Sequence, residues 1–312
     1  MTWTAADIPD QSGRVAVVTG ANGGLGLACT IALARRGAHV VMAARSPEKT
    51  DDAHAAVLAA VPGASLETVP LDLASQESVR SAGRTIADRH GAIDLLLANA
   101  GVMAMPEGRT ADDFETQLAV NHLGHWTLIA ELLPRLMEAP AARVVTTTSI
   151  ARLNADPVDP ANPHLDGEYE DWKAYGRSKL AAVHLAVGLD RRLRAAGSTA
   201  RALVAHPGIS HTDLQKRTVR EGGGGTQGPF WERYAERRGM DPARGALSQL
   251  RAATDPRAEG GTLYGPRWGV TGAPTRRPLL TRRGMDGAIA ALWTASEELT
   301  GVALEVPAEV TR

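Results

Sequence analysis

Six short runs rich in Val, Leu, Ile and Ala punctuate the chain: 14–19, 38–43, 65–71, 93–98, 143–148 and 199–206. Near-continuous apolar runs of this length predict strands buried on both faces, as in a parallel sheet, because a strand with one wet face would alternate. Between them, apolar residues return at helical spacing. The segments 25–36, 75–90, 112–137 and 173–196 predict helices, and Met285 to Leu299 predicts a last one stopped by Gly301.

Strict alternation of strand and helix predicts an α/β protein: a single doubly wound (Rossmann) parallel sheet with helices on both faces. Two stretches break the rhythm. Residues 150–172 are rich in Pro, Asn and Asp, and residues 214–239 hold the run Gly222 to Gly225 followed by Phe230, Trp231 and Tyr234. Long loops beside a ligand site tend to be lids. The expected organisation is one domain over 1–312: a cofactor-binding and catalytic core over 14–212, a mobile substrate lid over 213–240, and a C-terminal substrate-side segment over 241–312.

Composition narrows the function classes. The 312 residues are 44% hydrophobic and 22% charged with a net charge of −1, an ordinary soluble balance with no electrostatic footprint for nucleic acid or an anionic membrane. The single cysteine, Cys29, excludes an internal disulfide and fits a reducing compartment. No signal pattern occupies residues 1–13, and the best apolar run, 25–34, is far short of the ~20 residues that span a bilayer. A cytoplasmic protein is expected. No metal ligand is assigned.

The first strand runs straight into Gly20-Ala-Asn-Gly-Gly-Leu-Gly26 and then a helix. A strand, a glycine turn and a helix N-terminus make a site for a dinucleotide pyrophosphate: the glycines admit the backbone and the helix end offers unpaired N–H groups. The fitting spacing is Thr19, Gly20, Gly24, Gly26, with Gly20, Gly23, Gly26 as an overlapping alternative. The second strand ends at Arg45, and no acid occupies the turn until Glu48. An acid there would take the ribose 2′-hydroxyl of NAD, whereas an arginine suits the 2′-phosphate of NADP, so NADP(H) is favoured over NAD(H).

Tyr175 and Lys179 stand four residues apart early in the 173–196 helix, so they share a face. With four Tyr and four Lys in the chain, a chance pair at this spacing is rare. A phenol titrates near 10, too high for a base at neutral pH. An ammonium about 4–5 Å away at an effective dielectric of ~20 favours the phenolate by roughly 3–4 kcal/mol. That is ~2–3 pKa units, which brings the phenol near 7, where acid/base catalysis works best.

Thr19 to Gly26, Asn99-Ala100-Gly101, Asn121, Ser149, Tyr175-x-x-x-Lys179 and Pro207-Gly208 together resemble the short-chain dehydrogenase/reductase family in order and spacing. Val120 to His125 (Val-Asn-His-Leu-Gly-His), Tyr175 to Leu180, His206 with His211 and Thr212, and 250–256 resemble its retinol dehydrogenase and protochlorophyllide reductase-like branch. Ala151-Arg152 stands where that branch often has Ala-His, and no anchor precedes Arg14. The resemblance implies a catalytic set of Asn121, Ser149, Tyr175 and Lys179. Ser149 would polarise the carbonyl, Tyr175 would transfer the proton, Lys179 would tune the phenol and bind the nicotinamide ribose, and Asn121 would hold a water leading to solvent. It also implies a cofactor site of Gly20, Asn22, Gly23, Gly24, Leu25, Gly26, Arg45, Asp72, Leu73, Asn99, Ala100, Gly101, Tyr175, Lys179, Pro207, Gly208, Ile209 and Thr212.

The expected activity is hydride transfer between a nicotinamide and a secondary alcohol/ketone or alcohol/aldehyde of an apolar small molecule. Reduction of a carbon–carbon double bond is the alternative, and a non-catalytic NADP-binding regulator a weaker one. Many relatives pair through the helices that here carry Asn121 and Tyr175, and the insertion before Tyr175 could obstruct that surface. Homodimer and monomer are both left open.

Overall fold

The computed structural model describes residues 2–211, 213–279 and 284–307. Six strands arise where the apolar runs predict them: β1 (Val15–Thr19), β2 (His39–Ala44), β3 (Leu66–Pro70), β4 (Leu95–Ala98), β5 (Arg143–Thr147) and β6 (Arg201–Ala205). Two more complete the sheet, β7 (Leu263–Pro266) and β8 (Pro274–Arg277), in the order β3-β2-β1-β4-β5-β6-β7-β8. Neighbours are parallel from β3 to β7, and β8 pairs antiparallel with β7. The sequence reading does not contain β7 and β8. Each is four residues long, and the Pro-Thr-Arg-Arg of β8 carries the polar character of an edge strand, not an apolar run.

Alternate residues of one strand feed opposite cores. Val17, Val41, Leu96, Val144 and Val204 pack on one face of the sheet, while Ala16, Val18, Val40, Met42, Leu97 and Leu203 pack on the other. Both faces are covered, which is why the strands read as continuous apolar runs. The helices α1 (Gly24–Ala34), α2 (Pro47–Ala60) and α3 (Gln76–Arg89) follow the first three strands.

The long predicted helix over 112–137 is interrupted. A single turn, α4 (Thr116–Leu118), is capped by the buried Glu115, whose carboxylate accepts from the Gln117 and Leu118 amides at 2.7 and 2.6 Å. A π-turn at Ala119–Leu123 then carries Asn121 before α5 (Gly124–Glu138) begins. One extra residue per turn shifts the helix face at Asn121, which simple periodicity does not register.

After β5 the chain makes a 3-10 turn (Ile150–Asn154) and a string of turns before α6 (Asp171–Ala195). The stretch 214–239, expected to be irregular, is instead two helices, α7 (Asp213–Arg220) and α8 (Gly228–Arg238), joined through the glycine run. Gly223 and Gly224 pack tightly. Gly224 N–H donates to the Ala104 carbonyl at 2.7 Å, and a Cβ on Gly223 would sit against that same carbonyl. Their smallness serves this close approach. A further turn, α9 (Pro242–Gly245), leads to α10 (Leu247–Thr254), which covers the sheet beside α1. The last helix, α11 (Met285–Thr300), lies against α5 and α6. There the Trp293 ring meets Trp126 edge-on at 5.0 Å and takes the Arg192 guanidinium 3.9 Å above it.

Candidate active site

The chain leaves β1 toward β2 and β3 on one side and returns to β4 on the other, so the crevice beyond the C-terminal ends of β1 and β4 is a natural ligand site. A cavity of about 1010 Å³ opens there. Its walls include Gly20, Asn22, Gly23, Gly24 and Leu25 from the glycine turn and Arg45 from the end of β2. Asp72 and Leu73 follow β3, and Asn99, Ala100 and Gly101 follow β4. Ser149, Tyr175 and Lys179, then Pro207, Gly208 and Ile209, close the other side. Thr212 lies outside the described residues.

Gly26 and Asn121 sit behind this surface. A Cβ on Gly26 would lie 2.2 Å from the Gly20 carbonyl, so glycine lets α1 start directly against the turn. The first N–H groups of α1 have no side-chain cap at Gly23, which leaves them to face an anion.

Thr19 ties the turn to the end of β4. Its hydroxyl accepts from the Asn99 and Ala100 amides at 2.9 and 3.0 Å, and Asn99 Nδ2 donates to the Thr19 carbonyl at 2.9 Å. From the opposite side the buried Gln249 of α10 donates to Asn99 Oδ1 and to Thr147 Oγ1, both at 2.9 Å. Sequence reasoning missed Gln249, and a glutamine on an amphipathic helix carries no local signal of that reach.

Asn121 is held by both ends of its carboxamide. Oδ1 accepts from Val102 N at 2.8 Å, while Nδ2 donates to the Val102 carbonyl at 2.9 Å and to Ser178 Oγ at 2.8 Å. A Cβ on Gly101 would come within 2.7 Å of Asn121 Oδ1 and 3.0 Å of Lys179 Nζ, so only glycine lets these side chains reach the turn. The side chain of Asn121 thus shapes the 99–102 segment.

Tyr175 and Lys179 share one face of α6, with Nζ 5.8 Å from the phenol ring centre. Ser149, just past β5, lines the same wall of the cavity as the phenol. The direction of the tyrosine shift differs from the sequence expectation. Burial pushes the Tyr175 phenol up to about 12, offset in part by Ser149, and pushes the Lys179 ammonium down to about 8. Nζ donates a hydrogen bond to the Thr147 carbonyl at 3.4 Å. The protein groups alone leave desolvation dominant.

The other end of the cavity is cationic. Arg45 and Lys49 are exposed, line it together, and enter no ion pair among the described residues. Lys49 was not anticipated, although a second base one helical turn after Arg45 is a readable signal. Toward Tyr175 and the 213–240 stretch the wall is mixed: Met103, Met105, Ile150, Trp172, Leu214 and Trp231 line it beside Glu170, Lys173, Arg217 and Glu221. Trp172 meets the Tyr175 ring edge-on at 6.0 Å and donates its Nε1–H to the Gly224 carbonyl at 3.1 Å, which fastens the glycine run over the tyrosine. Of Phe230, Trp231 and Tyr234, only Trp231 lines the cavity. Phe230 is 57% exposed and stacks with Tyr234 outside it.

Comparison with known proteins agrees with this geometry. The family model of the short chain dehydrogenases matches residues 14–222. A short-chain dehydrogenase/reductase, prx1, of Penicillium roqueforti is 35% identical over 266 residues, covering 82% of this chain and 74% of that protein. Human retinol dehydrogenase 13 is 36% identical over 231 residues, covering 70% of this chain and 67% of that protein. The crystal structure of an uncharacterized protein from Mycobacterium Paratuberculosis superposes with a TM-score of 0.78 at 37% identity, covering 98% of this chain and all of that one (100%). No helix among the described residues is long and apolar enough to cross a membrane.

Proposed function

Because the chain belongs to the short-chain dehydrogenase/reductase family, in its retinol dehydrogenase-like branch, and is an oxidoreductase of CH–OH and C=O groups, we propose that it uses NADP(H) to interconvert an alcohol with its ketone or aldehyde on an apolar small molecule. The observation that carries the reading is the convergence of Ser149, Tyr175 and Lys179 on one wall of a cavity whose other end is the glycine cradle. The residues fit a dinucleotide: uncapped N–H groups at α1, a close-approach turn, and two unpaired cations at the end of β2.

A bound nicotinamide supplies or accepts the hydride. In reduction, negative charge develops on the carbonyl oxygen. The Ser149 hydroxyl donates a hydrogen bond to that oxygen and Tyr175 gives it a proton. A phenol held protonated by burial is in the right state for that donation. Lys179, pushed down to about 8 by burial and so still charged at neutral pH, would bind the nicotinamide ribose and steady the phenolate that remains. The carboxamide of Asn121 is engaged by Val102 and Ser178, which leaves that side chain to shape the 99–102 turn in place of holding the expected water. The working unit is read as one domain, with 14–212 as core, 213–240 as a lid latched by Trp172, and 241–312 on the substrate side. A single buried cysteine supports a cytoplasmic site of action.

Arg45 and Lys49 favour the 2′-phosphate. A charge-assisted contact of about 1.5–3 kcal/mol corresponds to about 10- to 100-fold in affinity. Titration with NADPH and NADH should show that preference, and Arg45→Ala should erase most of it. A panel of apolar ketones, aldehydes and alcohols, followed at the nicotinamide absorbance with product analysis, should yield alcohol or carbonyl products. Equal cofactor affinities, or a saturated carbon–carbon bond as product, would refute the respective half of the proposal.

A further inference from the structure

At the opposite end of the sheet from the cavity, His39, Glu67 and His90 converge. His39 opens β2, Glu67 lies on the edge strand β3, and His90 caps the C-terminus of α3. The register pairs Val40 with Leu66 and Val41 with Glu67, so His39 and Glu67 project from the same face as diagonal neighbours. His90 comes down on them from the helix above. One donor atom from each residue lies within 4.8 Å of the others.

The geometry points to a divalent-metal site of the two-histidine, one-carboxylate kind, suited to zinc. Three details support it. First, His39 Nδ1 is taken by Ser65 Oγ at 2.7 Å, while its Nε2 is shielded from water, has no hydrogen-bond partner, and lies 3.6 Å from Glu67 Oε2. The serine contact fixes the ring and directs the second nitrogen inward, the arrangement that metal-binding imidazoles show. Second, His90 Nε2 is 2.9 Å from the same Glu67 Oε2. Bonds of about 2.0–2.1 Å from a tetrahedral zinc put its ligands roughly 3.3–3.5 Å apart, so these two separations bracket what the ion requires. Third, Arg89 holds the other oxygen, Glu67 Oε1. It orients the carboxylate and leaves Oε2 to the ion, as partners of ligating carboxylates do.

Two imidazoles argue against magnesium or calcium, which take oxygen ligands. The three side chains are partly exposed, at 28%, 17% and 13% for His39, Glu67 and His90, which places the cluster close to the surface. His39 and Arg45 stand at opposite ends of β2, roughly 20 Å apart at strand rise. The ion would therefore not touch the reaction. It would pin the edge strand and the end of α3 to β2.

The test uses untagged full-length protein, stripped with chelator and titrated with Zn²⁺ by calorimetry. One equivalent should bind, and Co²⁺ in its place should give the visible absorption of a four-coordinate site. Glu67→Gln and His90→Gln should each weaken Zn²⁺ binding at least tenfold and abolish the cobalt bands. Turnover should stay at the wild-type value, since neither residue faces the cavity. No saturable Zn²⁺ binding, or binding equally tight in both variants, would overturn the proposal. The cobalt spectrum is read on the wild-type chain, so the answer does not depend on the variants folding.

Discussion

The Thr19 hydroxyl and His125 Nε2 are 3.0 Å apart, joined beneath the cofactor turn across 106 residues of chain. His125 Nδ1 faces the Asn121 carbonyl at 3.4 Å, which can only accept, so Nδ1 carries the proton and Nε2 is the acceptor. Burial lowers the ring to about 4, so it is neutral at physiological pH. Thr19 already accepts from two amides and gives its one proton to this ring. The pair thus ties the glycine turn to the π-turn of Asn121. His125→Phe keeps the ring volume and leaves Thr19 only the Leu97 carbonyl at 3.4 Å. The expected loss is about 1–3 kcal/mol in urea unfolding, with an unchanged slope. Thr19→Val should cost a similar amount, and the double variant less than the sum. Strict additivity would show that the bond does not couple the two turns.

Tyr175 and Ser149 separate proton transfer from binding. Tyr175→Phe removes the phenol oxygen and keeps the ring against Trp172, so turnover should fall to near background while NADPH affinity stays close to wild type. Ser149→Ala removes one donor to the developing oxyanion and should cost roughly 10²–10³ in turnover. Wild-type turnover in Tyr175→Phe would falsify the mechanism and require another proton donor.

Lys179 trades stability for function. Its pKa falls from 10.5 to about 8 because burial disfavours the charge. Below pH 8 both folded and unfolded chains carry the charge, and the folded state bears the whole penalty, about 3–4 kcal/mol as an upper figure. Between pH 8 and 10.5 the folded chain has released the proton and the unfolded chain has not, so the penalty fades. Lys179→Met should therefore abolish turnover yet raise the melting temperature at pH 7, by about 5 °C. The gain should shrink toward pH 10. A melting point lowered at pH 7 would mean that the ammonium is better solvated than its burial implies.

The sheet and its switch point were legible because strands covered on both faces must be continuously apolar, and glycines that admit close backbone approach cannot be replaced without a clash. Val17 and Gly26 are readable for those reasons. What escaped the sequence depends on distant partners. The glycine run 222–225 reads as slack but packs on Ala104, a contact 120 residues away in the chain. The π-turn at Asn121 looks like ordinary helix, since one extra residue per turn leaves the apolar pattern nearly intact. Gln249 and the His39–Glu67–His90 cluster draw on residues too far apart in sequence to form a motif. The pKa direction of Tyr175 also failed, because helical spacing predicts that two side chains meet but not how deeply both are buried.

The last prediction concerns pairing. Residues 174–190 of α6 are buried within a single chain apart from Leu180, and α5 is buried from Gly124 to Ile129. α11 supplies part of that cover. Trp293 inserts between Trp126 and Arg192, His122 Nε2 meets Ser296 Oγ at 2.7 Å, and Arg191 pairs with Asp286 at 2.6 Å. The surface through which the two long helices could pair is therefore occupied by the chain's own C-terminal helix. With 124–129 and most of 174–190 buried, these helices keep no wide apolar stripe to offer a second copy. Sedimentation at micromolar concentration should give a monomer. Trp293→Asp should expose the stripe and bring on concentration-dependent association together with a loss of stability. A wild-type dimer that cross-links through α5 or α6 would show that α11 leaves this face when two chains meet.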